Sequence, residues 1–173
     1  MLILGIDPGT ATTGYGLVQV QGSRYTLADY GCIRTRAHIA PALRLEMIYQ
    51  GAHQLLAQHK PQAVAIEQLF FNRNTTNALS VAQARGVLLL AFAKANLPIS
   101  EYTPLQVKQA VVGYGRAEKE QVKYMVSRIL GLKTPLKSDD AADALAIAIC
   151  HGQQRGSALL LAGGQRPEDR DRN

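Results

Sequence analysis

A chain of 173 residues, 47% hydrophobic and 18% charged, has enough apolar content for one globular core and is not a disordered sequence. Its net charge of +6, nineteen Lys and Arg against thirteen Asp and Glu, fits a nucleic-acid surface as readily as an ordinary basic protein. Cys32 and Cys150 stand alone, so neither a disulfide framework nor a zinc site is encoded, and no apolar run reaches membrane-spanning length.

Three strands are expected first, at Leu2–Asp7, Tyr15–Val20 and Tyr25–Thr35. Gly9, Gly14 and the Gly22-Ser23 pair punctuate them, which implies short antiparallel connections. The apolar start ends at Asp7, too short for a secretory leader, and a cytoplasmic location is expected. Pro41 opens a helix in which Leu43, Met47, Ile48, Gly51, Ala52, Leu55 and Leu56 recur at helical spacing. A short buried strand, Ala63–Glu67, leads into a polar loop from Gln68 to Thr76. Then come a helix over Asn77–Ala95 and a strand over Pro98–Tyr102. Thr103-Pro104 reads as an N-cap and first-turn pair opening a third helix, which Gly113 and Gly115 break. A further helix is expected over Glu118–Leu130, closed by Gly131, and Ser138 caps a last one running to about Gln154. Beyond Gly156 the chain is small, polar and charged. Residues 1–155 therefore read as one domain and 156–173 as a flexible tail. This order predicts an α/β fold, a five-stranded mixed sheet with helices on both faces.

Acids stand where they are costly. Asp7 ends LILGID, Glu67 ends AVAIE, and Asp140 and Asp143 lie in DDAADALAIAIC. Ligand sites in open α/β sheets lie beyond the carboxyl ends of the strands, so adjacent first and fourth strands would bring Asp7 and Glu67 together. Asp140 and Asp143 are three apart on one helical face; Asp139, four before Asp143, shares that face. In a first helical turn, Asp139 and Asp140 are explained by the macrodipole alone, worth about 0.3–1 kcal/mol. Asp143 is harder to explain so. It is flanked by Ala141, Ala142, Ala144, Leu145, Ala146 and Ile147, and a buried carboxylate must be paired, protonated or metal-bound.

Two carboxylates about 4 Å apart repel by roughly 4 kcal/mol at an effective dielectric of 20. Divalent cations remove that penalty, and an all-oxygen donor set favours Mg²⁺ or Mn²⁺. Two such ions suit in-line displacement at a phosphodiester. His38, His53, His59 and His151 form no ligand spacing. With four of the thirteen acids assigned to one site, nine remain against nineteen bases, a phosphate-attracting surface around an acidic pit.

GIDPGT at Gly5–Thr10, AIEQLF at Ala65–Phe70 and QARG at Gln83–Gly86 resemble segments of the RuvC family of crossover junction endodeoxyribonucleases. So do QVKQAVVGYGRAEKEQV at Gln106–Val122 and DAADALAIAICH at Asp140–His151, in order across about 150 residues. The resemblance implies a ribonuclease H-like fold and a catalytic tetrad of Asp7, Glu67, Asp140 and Asp143. It further implies two Mg²⁺ ions per subunit, with Mn²⁺ as a substitute. Its register selects Asp140 over Asp139. Lys119 and Lys108 match lysines that the family uses near the scissile phosphate, Lys119 among the catalytic residues. The family is a homodimer that nicks two opposed strands of a four-way junction in recombination and repair. It leaves 5′-phosphate ends and works with a RuvA–RuvB branch-migration complex.

Other DNA contacts are read from position. Phe70, followed by Phe71 in the polar loop after Glu67, would stack on a base or wedge the junction, a role that the resemblance favours. Lys119 and Lys123 share a face away from the apolar stripe of Val122, Met125, Val126 and Ile129. Arg116 sits in the glycine-flanked turn, and Arg73 and Arg85 are further candidates. The helix over Asn77–Ala95 is apolar around most of its circumference, so either later helices or a second subunit must cover it.

Three other functions share part of this pattern. GIDPGT also resembles the phosphate loop of actin-like ATPases and sugar kinases, which need two such domains, more than 173 residues supply. A ribonuclease H acting on RNA–DNA hybrid would share the metal chemistry. A non-catalytic junction-binding module would not need Asp143 in a hydrophobic helix.

Overall fold

A computed structural model of the chain describes residues 1–69, 75–134 and 136–163. Its strands are β1 (Leu2–Asp7), β2 (Thr12–Gln21), β3 (Arg24–Arg34), β4 (Ala63–Glu67) and β5 (Ile99–Tyr102). They form one sheet in the order β3-β2-β1-β4-β5, with β1, β2 and β3 pairing antiparallel and β1, β4 and β5 parallel. The mixed five-stranded sheet is the one expected. The helices are α1 (Pro41–His59), α2 (Thr75–Lys94), α3 (Pro104–Val112), α4 (Lys119–Ile129) and α5 (Asp139–Gly163).

Two boundaries differ from the sequence pattern by three residues or more, the others by no more than two. β2 starts at Thr12 rather than Tyr15, because Thr12, Thr13 and Gly14 pair with Arg34, Ile33 and Cys32, a partner that local alternation does not reveal. α5 continues past Gln154 to Gly163. A glycine inside a helix costs only about 1 kcal/mol, so Gly152 and Gly156 do not stop a helix that alanine and leucine carry onward.

Strand alternation sorts the core into two layers. Ile3 of β1, Val18 of β2 and Ala65 of β4 pack with α3, α4 and α5. Leu4, Ile6, Leu17, Val64 and Ile66 pack with α1 and α2 on the other side. Odd positions of β1 and β4 therefore face α5, and Asp7 and Glu67 close those odd series. Glycine lets α5 come near. A Cβ on Gly5 would lie 2.0 Å from the Ala144 carbonyl oxygen, and one on Gly14 would lie 2.0 Å from that of Asp140. The helix backbone rests on the strands, and its acids stand directly over the strand ends.

Capping sets the other side of the site. The Thr103 hydroxyl accepts from the Gln106 amide while the Gln106 side chain accepts from the Thr103 amide, a reciprocal cap that starts α3. Glu118 and Gln121 form the same box at α4, which makes Lys119 its first helical residue. A cation there opposes the helix dipole by about 0.3–1 kcal/mol, so its counter-charges must come from elsewhere in the fold.

Candidate active site

Ile6 pairs with Ile66 across the parallel β1–β4 junction, so Asp7 and Glu67 are the next residues on adjacent strands. α5 lies across them and adds Asp143. Burial raises all three carboxylates, and acidic neighbours add to it. Asp7 is pushed up to about 8, first by burial and then by Glu67, Asp143 and Asp140, with Lys119 partly opposing. Glu67 is raised by burial and by Asp143, and Lys119 and Lys108 pull it back. Burial also raises Asp143 above the usual carboxylate range, against the hydrogen bond from Lys119. Asp139 and Asp140 both repel Asp143, and Asp140 also repels Asp7.

A cavity of about 190 Å³ opens over this cluster. Glu67, Asp143, Lys108 and Lys119 form its polar wall, and Val107 and Ile147 lie among its apolar lining. Lys119 Nζ stands 3.1 Å from Asp143 Oδ2. The donors fit a hard divalent cation: carboxylate oxygens only, crowded enough that each favours a positive charge beside its neighbours. Among the described residues, no three Asp, Glu, His or Cys side chains close into a ready ligand shell, and the Lys119 ammonium provides the positive charge at Asp143.

The two acids of the doublet meet different neighbours. Asp139, while still repelling Asp143, faces the lysines of α4. Lys123 Nζ donates to its Oδ1 at 2.9 Å, and that hydrogen bond holds Asp139 below the usual carboxylate range. Asp140 belongs electrostatically with Asp7.

The remaining candidates scatter. Lys108 on α3 reaches the cavity wall, and Arg116 is exposed in the turn between α3 and α4. Arg85 on α2 is engaged internally: Nε donates to the Glu67 carbonyl oxygen at 3.0 Å, and the guanidinium pairs with Glu101 of β5. Its side chain is only 14% exposed, so it braces the end of β4. Sequence reading missed this brace; the one available signal was an acid, Glu101, on the strand next to β4. Phe70, Phe71 and Arg73 lie outside the described residues. His151 is buried, its Nδ1 2.7 Å from the Tyr102 hydroxyl, and His59 lies beside Asp29, so neither belongs to the cavity wall.

A family model described as crossover junction endodeoxyribonuclease RuvC matches residues 3–151. The crossover junction endodeoxyribonuclease RuvC of Desulfitobacterium hafniense is 60% identical over 151 residues, covering 87% of this chain and 92% of its own length. That of Pelotomaculum thermopropionicum is 56% identical over 151 residues, with the same two coverages, 87% and 92%. Among solved structures, T. thermophilus RuvC in complex with Holliday junction substrate superposes with a TM-score of 0.86 at 38% identity, covering 91% of this chain and 96% of that one. The yeast mitochondrial Holliday junction resolvase Ydc2 aligns at 17% identity with a TM-score of 0.67, over 92% of this chain and 82% of its own, a likeness of fold.

Proposed function

The chain belongs to the RuvC family of crossover junction endodeoxyribonucleases, and from that premise we propose that Asp7, Glu67, Asp140 and Asp143 hold two Mg²⁺ ions per subunit, Mn²⁺ substituting. At that site it cuts one phosphodiester in each of two opposed strands of a four-way DNA junction and leaves 5′-phosphate ends. Family membership carries dependence on a divalent metal. The observation that carries the site assignment is the meeting of carboxylates from β1, β4 and α5, where burial first and then the neighbouring acids push Asp7 up to about 8.

Bound divalent cations supply charge neutralisation and Lewis acidity at the attacking and leaving oxygens. The protein's own groups do the rest. Arg85 fixes the backbone at Glu67, and the glycine contacts of α5 fix Asp140 and Asp143 over Asp7. Lys119 and Lys108 flank the cavity, where their ammonium groups offset charge developing on the phosphoryl oxygens. Arg116 and Arg73 hold flanking phosphates, contacts that position a strand without reading its sequence, and Lys123, engaged by Asp139, adds its charge to that face. Arg85 contributes least to phosphate binding, its guanidinium being engaged. Phe70 stacks on or wedges a base near the cut.

The enzyme works as a homodimer. Leu79 and Leu90 of α2 are 67% and 55% exposed, and α3, α4 and α5 pack on the other side of the sheet, so no described helix after α2 covers them. A two-fold assembly matches a substrate with two equivalent cuts. The same reading has residues 1–155 as the nuclease domain and 156–173 as an appended tail, acting in the cytoplasm with a RuvA–RuvB complex. No described helix is long and apolar enough to cross a membrane.

A synthetic four-way junction, with and without Mg²⁺, tests the reading with wild type and Asp143→Asn. Paired symmetric nicks are expected only from wild type with metal. The variant should lose at least about 10³-fold in rate, some 4 kcal/mol of transition-state stabilisation. Wild-type cutting by Asp143→Asn would refute the site.

A further inference from the structure

Four side chains of alternating charge run outward from the cavity wall, where Asp143 and Lys119 stand, to Asp139 and Lys123 beyond it. Lys123 Nζ donates to Asp139 Oδ1 at 2.9 Å; Asp139 Oδ2 stands 3.8 Å from Lys119 Nζ; Lys119 Nζ lies 3.1 Å from Asp143 Oδ2. Helical spacing produces the match. Lys119 and Lys123 are four apart on α4, Asp139 and Asp143 four apart on α5, and the two helices present facing pairs. Asp139 uses both oxygens, one on each lysine.

Stability does not account for this arrangement. Exposed ion pairs contribute little to stability, and Lys119 is half exposed at 51%. The consequence is positional. The oxygen of Asp143 nearest Lys119 belongs to a carboxylate that the proposed function gives to a divalent cation. When Asp143 turns to that cation, Lys119 loses its nearer partner. Its long, flexible stem then leaves the ammonium free to swing into solvent, an excursion that rotamer entropy favours. Asp139 is the anion that remains, and Lys123 holds it on the α4 side.

Resting on the metal-nuclease reading above, we propose that Asp139, tethered through Lys123, is a positioning residue that keeps the Lys119 ammonium over the cavity while Asp143 is engaged by a divalent cation. The adjacent acids thus divide the work: Asp140 joins the cation-holding cluster, and Asp139 steers a lysine.

Three measurements on the full chain test this: Mn²⁺ affinity of the DNA-free protein, junction affinity, and single-turnover cleavage rate at saturating junction with Mn²⁺. Asp139→Asn should lower the cleavage rate about tenfold while changing the two affinities less than about twofold, and Asp139→Glu should recover most of the rate. Lys123→Gln should move the rate in the same direction by about threefold. A wild-type rate in Asp139→Asn would overturn the proposal, as would a tenfold loss of its Mn²⁺ affinity, which would make Asp139 a ligand. Wild-type protein that failed to cut with Mn²⁺ would sink the underlying nuclease reading instead, a result separable from either.

Discussion

On the α1–α2 side of the sheet, Leu4, Ile6, Leu17, Val64 and Ile66 meet Leu88 and Phe92, all fully buried. On the α5 side, the same strands offer Gly5, Gly14 and Ala65 together with the two terminal acids, and α5 answers with Ala141, Ala144 and Ala148. Large side chains keep elements apart and bury area; small ones let backbones touch. The first side therefore supplies bulk hydrophobic stability. The second supplies closeness, and a cluster of carboxylates from three elements needs closeness more than area.

Substitution on each face should break the comparison differently. Gly5→Ala drives a Cβ into the Ala144 carbonyl, 2.0 Å away, and must lift α5 off β1. We expect a loss of about 3–5 kcal/mol in urea unfolding, and a cleavage rate depressed even where the variant is fully folded. Leu88→Ala should cost about 2–5 kcal/mol through its cavity yet leave the rate of folded protein unchanged. Equal effects on rate would mean that closeness at α5 has no catalytic consequence.

Burial of Asp7 among other acids gives a smaller effect with a definite sign. Asp7 is held near 8 in the folded protein, against an ordinary value of 3.8. The folded state keeps a proton that the unfolded chain releases. In metal-free buffer, stability linked to Asp7 is therefore full below about pH 3.8 and is lost as pH rises through about 8. Asp7→Asn removes this burden. Its stability relative to wild type, measured with chelator present, should rise from little difference near pH 4 to a gain on the order of 2–4 kcal/mol near pH 9. A pH-independent difference would show that neither burial nor its acidic neighbours raise Asp7.

The smallest expected effect on the subunit lies on the outer surface of α2. Leu90→Asp should alter subunit stability by less than about 0.5 kcal/mol, since Leu90 is 55% exposed, while shifting sedimentation from dimer to monomer. An unchanged sedimentation coefficient would move the dimer contact elsewhere.

Sequence by itself determined the elements and the acids that end them. The apolar runs before Asp7 and Glu67, and the alanine-rich surroundings of Asp143, record burial, a property of each residue that periodicity reports without knowledge of its partners. Tertiary structure alone decided the pairings. β2 begins at Thr12 because β3 lies beside it, Arg85 braces Glu67 because β5 brings Glu101 near, and Asp139 parts from Asp140 because α4 sets Lys119 and Lys123 opposite. Asp139 and Asp140 are indistinguishable on an isolated helix; only the docking of a second helix gives their two directions different charges to meet.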